Sequence, residues 1–239
     1  EETVDDIFFP RNYGDVFEFG ASEFGVFAAF NFRNGWEQKI DGERNTFTPS
    51  GDDLDRFVWR EYTNTVDLNG LVSLGLNVGD HTFEANTIVA RATESRIVRN
   101  VGQEGDEFQA QYRNTIDWVE RQFLSQQITG SHTLNAAGNL FADWQFTASQ
   151  ARRDAPDRRE VTFSANQQAT DPEDLIANFD LDRLNDDQDV ALNNFFIEPN
   201  ALVRRYDELV DVNLDLSGKL SWDIFDTGSS YAKATIGFQ

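Results

Sequence analysis

The sequence predicts an all-β chain of long antiparallel strands. Three observations predict it. Apolar and polar residues alternate with period two, the alternating stretches are longer than ordinary strands, and short turn-like connections alternate with long acidic ones. Every second residue from Val66 to Val78 reads Val, Leu, Gly, Val, Leu, Leu, Val, while the residues between them include Asp67, Asn69, Ser73 and Asn77. Such a stretch is an extended strand with one apolar face.

The other elements follow in order. A first, partial strand precedes Phe19. Val26, Ala28, Phe30 and Phe32 then alternate with Phe27, Ala29, Asn31 and Arg33, cleanly only in the second half. From Phe108 the even positions give Phe, Ala, Tyr, Asn, Ile and Trp, and later Leu124, Ile128 and Leu134. Glu120, Gln122 and Gln126 interrupt that apolar side. Leu140 to Ala148, Val210 to Leu220 and Ala232 to Phe238 repeat the pattern. Strands in globular sheets run about 5–6 residues, so these are too long for a sandwich. Turns are expected at Phe19–Gly25, Asn77–His81, Asn135–Asn139 and Phe225–Ser230, and long acidic loops at Asp41–Asp55, Ser95–Asp106 and Asn166–Asn200.

Composition removes several classes of function. The 239 residues carry a formal charge of -22 and no basic patch free of acids, which disfavours nucleic acid and anionic headgroups as partners. The absence of cysteine removes disulfides, thiolate metal sites and cysteine nucleophiles. With no Met and a Glu at position 1, a processed chain or an excised piece is expected. No run of about 18 apolar residues exists, which excludes membrane helices but not membrane strands.

Segregation of loop length by end is the habit of a transmembrane barrel, with short periplasmic turns and long outer loops. The polar face near each short turn is rich in Asn, Ser, Gln and Thr, as suits a water-filled or plugged lumen. Aromatics gather near strand ends: Phe83, Trp144, Trp222 and Phe225 by the short turns, with Trp36, Trp59, Tyr62, Tyr112 and Trp118 higher up. Such rings form the girdles of membrane barrels. The expected fold is therefore a partial transmembrane β-barrel over residues 1–239, an arc of about eight strands with no plug domain. Strand direction places both ends of the arc on the outer side, so a larger parent barrel is expected.

Four stretches resemble, in order, the middle barrel of TonB-dependent outer-membrane receptors: "FEFGASEFGVFAAFNFRNGWEQ", "LVSLGLNVGDHTFEANTIVARATESRI", "NTIDWVERQFLSQQITGSHTL" and "ADWQFTASQARRDAPDRREVTF". The most specific piece is Asp143 to Glu160, "DWQFTASQARRDAPDRRE", following "ERQ" at Glu120 to Gln122. The resemblance implies a parent barrel of about 22 strands. It also implies uptake of a scarce large solute (a metal–siderophore, cobalamin or glycan) in the bacterial outer membrane. The partners it implies are outer-membrane lipid and lipopolysaccharide, with the TonB complex and plug engaged through the parent protein. It brings no cofactor and no enzymatic activity. The alternative is a stand-alone small barrel with a structural, anchoring or adhesion role.

Candidate sites are few. Arg152, Arg153, Arg158 and Arg159 in "RRDAPDRRE" suit contact with a ligand or lipopolysaccharide, or simply pairing with acids on neighbouring strands. Arg113, Asp117 and Arg121 suit a solute path or a hold on a plug. The acidic run at 178–190 has Asn185, Asp187 and Asp189 at alternate positions but Val190 and Phe196 where an EF-hand needs Gly and Glu, so a solvated loop is expected. His81 and His132 are the only histidines and lack a helical partner, so no metal site is expected. There is no Gly-x-Ser-x-Gly elbow and no phosphate loop.

Overall fold

The computed structural model describes residues 2–47, 49, 53–103, 110–134, 139–165, 195–226 and 231–239. They form one antiparallel sheet: β1 (Glu2–Phe19), β2 (Ser22–Phe47), β3 (Asp53–Val78), β4 (His81–Gln103), β5 (Ala110–Thr133), β6 (Leu140–Ala165), β7 (Phe195–Asp226) and β8 (Tyr231–Phe238). Each strand pairs with its neighbours in sequence, and the spatial order is the chain order. Among the described residues β1 and β8 do not pair with each other, so the sheet is open.

The tight turns stand where expected. Gly20 and Gly79 are the first of two linking residues, with φ of 66° and 55°, a conformation that glycine adopts without a Cβ clash. Two of the expected loops are mostly strand. β2 continues to Phe47 and β4 to Gln103, both inside segments expected to be irregular. Those segments mix polar and apolar residues on both faces, with Ile97 and Val101 beside Ser95 and Arg99 on one and Val98 beside Arg96 and Asn100 on the other, so alternation is silent there, yet ladder pairing persists. The expected turns at 135–138 and 227–230, and the acidic run at 178–190, lie outside the described residues.

Register assigns every side chain to a face. One continuous rung crosses the sheet through Tyr13, Ala28, Val72, Thr87, Gln126, Ala148 and Leu214. The parallel rungs from Leu68 down to Val78 form a mainly apolar face, interrupted by Arg91, Gln122 and Arg152 on the Leu68 rung, Arg11 and Gln150 on the Gly70 rung and Asp15 on the Leu74 rung. The opposite face carries Asn69, Ser73, Asn86, Ser125, Gln127, Thr147, Ser149 and Asn213, interrupted by Phe27, Leu71, Ile88 and Phe123. One aromatic falls on the face opposite to its expected group. Trp59 pairs with Gly42 and shares the polar face, whereas Trp36, Tyr62, Tyr112 and Trp118 share the apolar one.

No second layer covers the apolar face among the described residues. Leu68 is 37% exposed, Val72 42%, Leu74 37% and Leu214 68%. Phe57, Val101, Tyr112, Val119 and Ala155 are the buried hydrophobic residues, and all lie far from the short turns. The lower half of the sheet thus has no protein core. Its side chains pack only along rungs, where rings alternate with small residues: Trp144 lies over Gly130, and Phe238 over Gly218. A Cβ at Gly130 would collide with the Trp144 indole. Gly130→Val should therefore displace that ring and destabilise the fold by about 1–3 kcal/mol, measured by urea unfolding with tryptophan fluorescence. An unchanged midpoint would mean the ring does not rest there.

Candidate functional site

Two surfaces carry the chemistry: the polar face of the sheet and a charged zone at the upper margin of the apolar rungs. Grooves open mainly on the polar face. One of about 850 Å³ near the short turns is lined by Thr82, Ser131, Asp143, Gln145, Ser217 and Lys219. Another of about 640 Å³ lies over Asn12, Ala29, Asn31, Asn69, Ile88 and Ala90. In the first, Ser131 donates to Asp143 at 2.5 Å and Lys219 reaches the same carboxylate at 3.1 Å. Ser131, Asp143 and Lys219 thus satisfy one another across three strands on a hydrophilic surface.

Higher on the same face the charges form a paired ladder. Glu61, 9% exposed, receives Arg96 through Nε at 2.9 Å and Lys39 at 3.3 Å, and Lys39 also meets Glu37 at 3.1 Å. Burial pushes the Glu61 carboxyl up, but Arg96 and Lys39 outweigh it and hold the group below the ordinary carboxylate range. Arg113 approaches Glu160 at 3.8 Å, Arg121 approaches Glu94 at 3.9 Å, and Asp117 stands opposite Arg96. Arg113, Asp117 and Arg121 therefore share the polar face, as their alternation requires. They belong to a ladder in which Glu61, Lys39 and Arg96 are more central. Those three were not singled out from sequence, because the partners lie 22 and 35 residues apart.

The arginine stretch on β6 is divided between the faces. Arg152 is on the apolar side, with Asp154 at 3.3 Å and Glu208 at 3.0 Å. Arg153 is on the polar side, 3.9 Å from Asp207. Between Ala155 and Arg158 the register slips, and Pro156, which has no N–H for the ladder, lies in the slip. Beyond it Arg158 faces Arg205 and Arg159 faces Ile116, so Arg159 returns to the apolar side. There Asp157 accepts hydrogen bonds from Arg159 and, at 2.8 Å, from Arg204. The two guanidiniums hold the Asp157 carboxyl far below its ordinary range. The four arginines are thus not one patch. Arg152 and Arg159 stand on one face of the sheet and Arg153 and Arg158 on the other.

The charged zone on the apolar face is completed by Arg91, bound to Glu120 at 2.7 Å, and by Trp118, whose Nε1 donates to Glu120 at 3.2 Å. It is an ion-paired band that begins on the Leu68 rung, where Arg91 and Arg152 stand, and continues above it. His81 and His132, separate in sequence, face each other beside the lower turn. Among the described residues no cluster of three or more His, Cys, Asp or Glu side chains is placed to hold a metal ion.

No family model matches the chain, and no curated protein matches it in sequence.

Because the Glu61 carboxyl is depressed in the folded state, its contribution is present at neutral pH and is lost as pH falls through its folded value. Glu61→Gln should lower stability near neutral pH by about 1 kcal/mol, the scale set by partly exposed partners. The gap between variant and parent should close in acid. Urea midpoints across pH check this, and a gap that does not vary with pH would remove Glu61 from the ladder's energetics.

Proposed function

We propose that this chain is a wall segment of a larger transmembrane β-barrel in a bacterial outer membrane, of the TonB-dependent receptor kind its sequence resembles. The observation that carries the reading is the uncovered apolar face of a single-layer sheet. In water such a continuous face is a liability; against acyl chains it is the stable arrangement. Its height, from Gly70 to Val78 on β3 below the rung of Arg91 and Arg152, suits the about 9–11 residues that a tilted strand needs to cross the hydrocarbon. Phe24, Phe83, Trp144 and Phe238 lie at its lower margin, and Trp36 and Trp118 lie above its upper one, as interfacial girdles do.

On this reading the polar face lines the lumen, and the charged band with Arg91, Arg152, Arg159 and Arg204 meets the headgroup zone, lipopolysaccharide included. The apolar patch at Phe27, Leu71, Ile88 and Phe123 is covered by a plug from the rest of the protein, and the ladder around Glu61 holds that plug or borders the solute path. The parent protein binds and imports a scarce large solute with energy from the TonB complex; this segment supplies wall. A stand-alone eight-stranded barrel is the competing reading. It requires β1 to pair with β8, and the sheet order lacks that contact.

Val72 and Leu214 occupy one rung at mid-height of the apolar face. Arginine at either should cost about 2–4 kcal/mol in lipid, as at a bilayer midplane. Asn69→Arg and Asn213→Arg, on the other face, should be much milder. Unfolding of the full-length protein from phospholipid vesicles measures all four. Equal costs on both faces, or a monodisperse protein in buffer without detergent, would remove the membrane reading.

A further inference from the structure

The histidine pair beside the lower turn is the one cluster that the proposed role leaves unused. The Thr133 amide donates to the Asp80 carbonyl at 2.9 Å. That bond makes His81 and His132 a non-hydrogen-bonded pair, the rung type in which facing side chains come closest. Their Nδ1 atoms are 3.2 Å apart, with ring centroids at 5.2 Å and planes inclined at 58°. Two imidazole nitrogens on one divalent ion, each at about 2.0–2.1 Å and subtending about 90–110°, would be about 2.9–3.4 Å apart. The observed spacing falls inside that bite.

We propose that His81 and His132 form a bidentate site for a divalent transition-metal ion of the copper, nickel or zinc class. Imidazole suits these ions and not calcium or magnesium, and copper(II) should bind tightest. His81 is exposed, so water completes the coordination. The neighbouring rungs on this face carry Leu76, Val78, Phe83, Ala142, Gly218 and Leu220, with no charged side chain among the described residues to compete or repel. The geometry stands whether or not lipid covers the rungs above, so the site is independent of the barrel reading.

Trp144 gives the site a reporter. Its Nε1–H donates to His132 Nε2 at 2.9 Å, so a neutral His132 carries its hydrogen on Nδ1, pointing at His81. An ion that takes both Nδ1 lone pairs moves that hydrogen to Nε2 of the same ring. No proton leaves the ring, but the indole loses its acceptor and must reorient. Binding therefore ties β4 to β5 at their turn ends and releases Trp144 from His132. Acid, by protonating either ring, competes with the ion.

The test uses the full-length protein with a tag free of histidine, folded in detergent and titrated with copper(II) chloride. Electron paramagnetic resonance should show one saturable two-nitrogen copper that the His81→Gln/His132→Gln double variant lacks. Each single variant should lose about ten-fold or more in affinity, since half a chelate forfeits the effective concentration of the second ligand. Trp144→Phe should keep the copper signal and abolish the accompanying fluorescence change. Circular dichroism establishes that each variant is folded, and glutamine keeps an acceptor for the indole. Single variants that bind like the parent, or a folded parent with no copper beyond the double variant, would overturn the site.

Discussion

The constraint on which this structure depends is lateral. In a single-layer sheet every backbone amide and carbonyl must find its partner on the strand beside it, because no second layer supplies one. Among the described residues that ladder runs through all eight strands, and its register decides which side chains share a face. A slip of one residue would exchange the faces, sending Leu74 to the polar side and Ser73 to the apolar one. The hydrophobic pattern and the turn glycines guard against such a slip. Each β-turn fixes the first rung, and each following rung inherits its face from the one before.

This explains how much of the fold was legible in the sequence. The lower half of each strand reads directly, since Val66 to Val78 and Val210 to Leu220 sort cleanly into two faces. The upper half does not, because Arg96, Glu61, Lys39 and Asp117 keep their strands paired through charge on a polar face, where alternation carries no signal. Trp59 misleads for a related reason: an aromatic's presence near a strand end says nothing of parity until the register is known. His81 and His132 lie 51 residues apart. The signal that joins them is that each adjoins a short turn, on strands that neighbour each other. Residues at equal distance from turns on adjacent strands fall on one rung.

The slip at Pro156 shows what a local irregularity does in such a sheet. A proline within β6 cannot donate to the ladder, and the strand absorbs it by offsetting its pairing between Ala155 and Arg158. Parity inverts across the slip, so an even-numbered Arg152 and an odd-numbered Arg159 share a face. Asp157, inside the slip, is then free to serve two guanidiniums at once, from its own strand and from Arg204 on the next. A run that reads as one basic patch becomes two half-sites on opposite faces of the sheet, with acids beside Arg152, Arg153 and Arg159.

Polar residues on the apolar face are the sharpest objection to covering it with hydrocarbon: Arg11 and Asp15 of the edge strand β1 stand on the Gly70 and Leu74 rungs, and Gln126 shares a rung with Val72 and Leu214. An amide left without partners in lipid costs several kcal/mol. Gln126 is not left so: its Oε1 accepts from Thr87 Oγ1 across the strand at 2.5 Å, and its Nε2 donates to the Gln127 carbonyl at 3.4 Å. The Thr87 hydroxyl hydrogen is spent in the same bond. The two polar side chains of the rung thus satisfy each other across the strands. The same device recurs one rung from the margin, where Arg91 and Glu120 close on each other beneath Trp118. Where cross-strand neighbours answer its polar groups, as at Gln126 and Glu120, the apolar face is therefore wider than a count of its hydrophobic residues suggests.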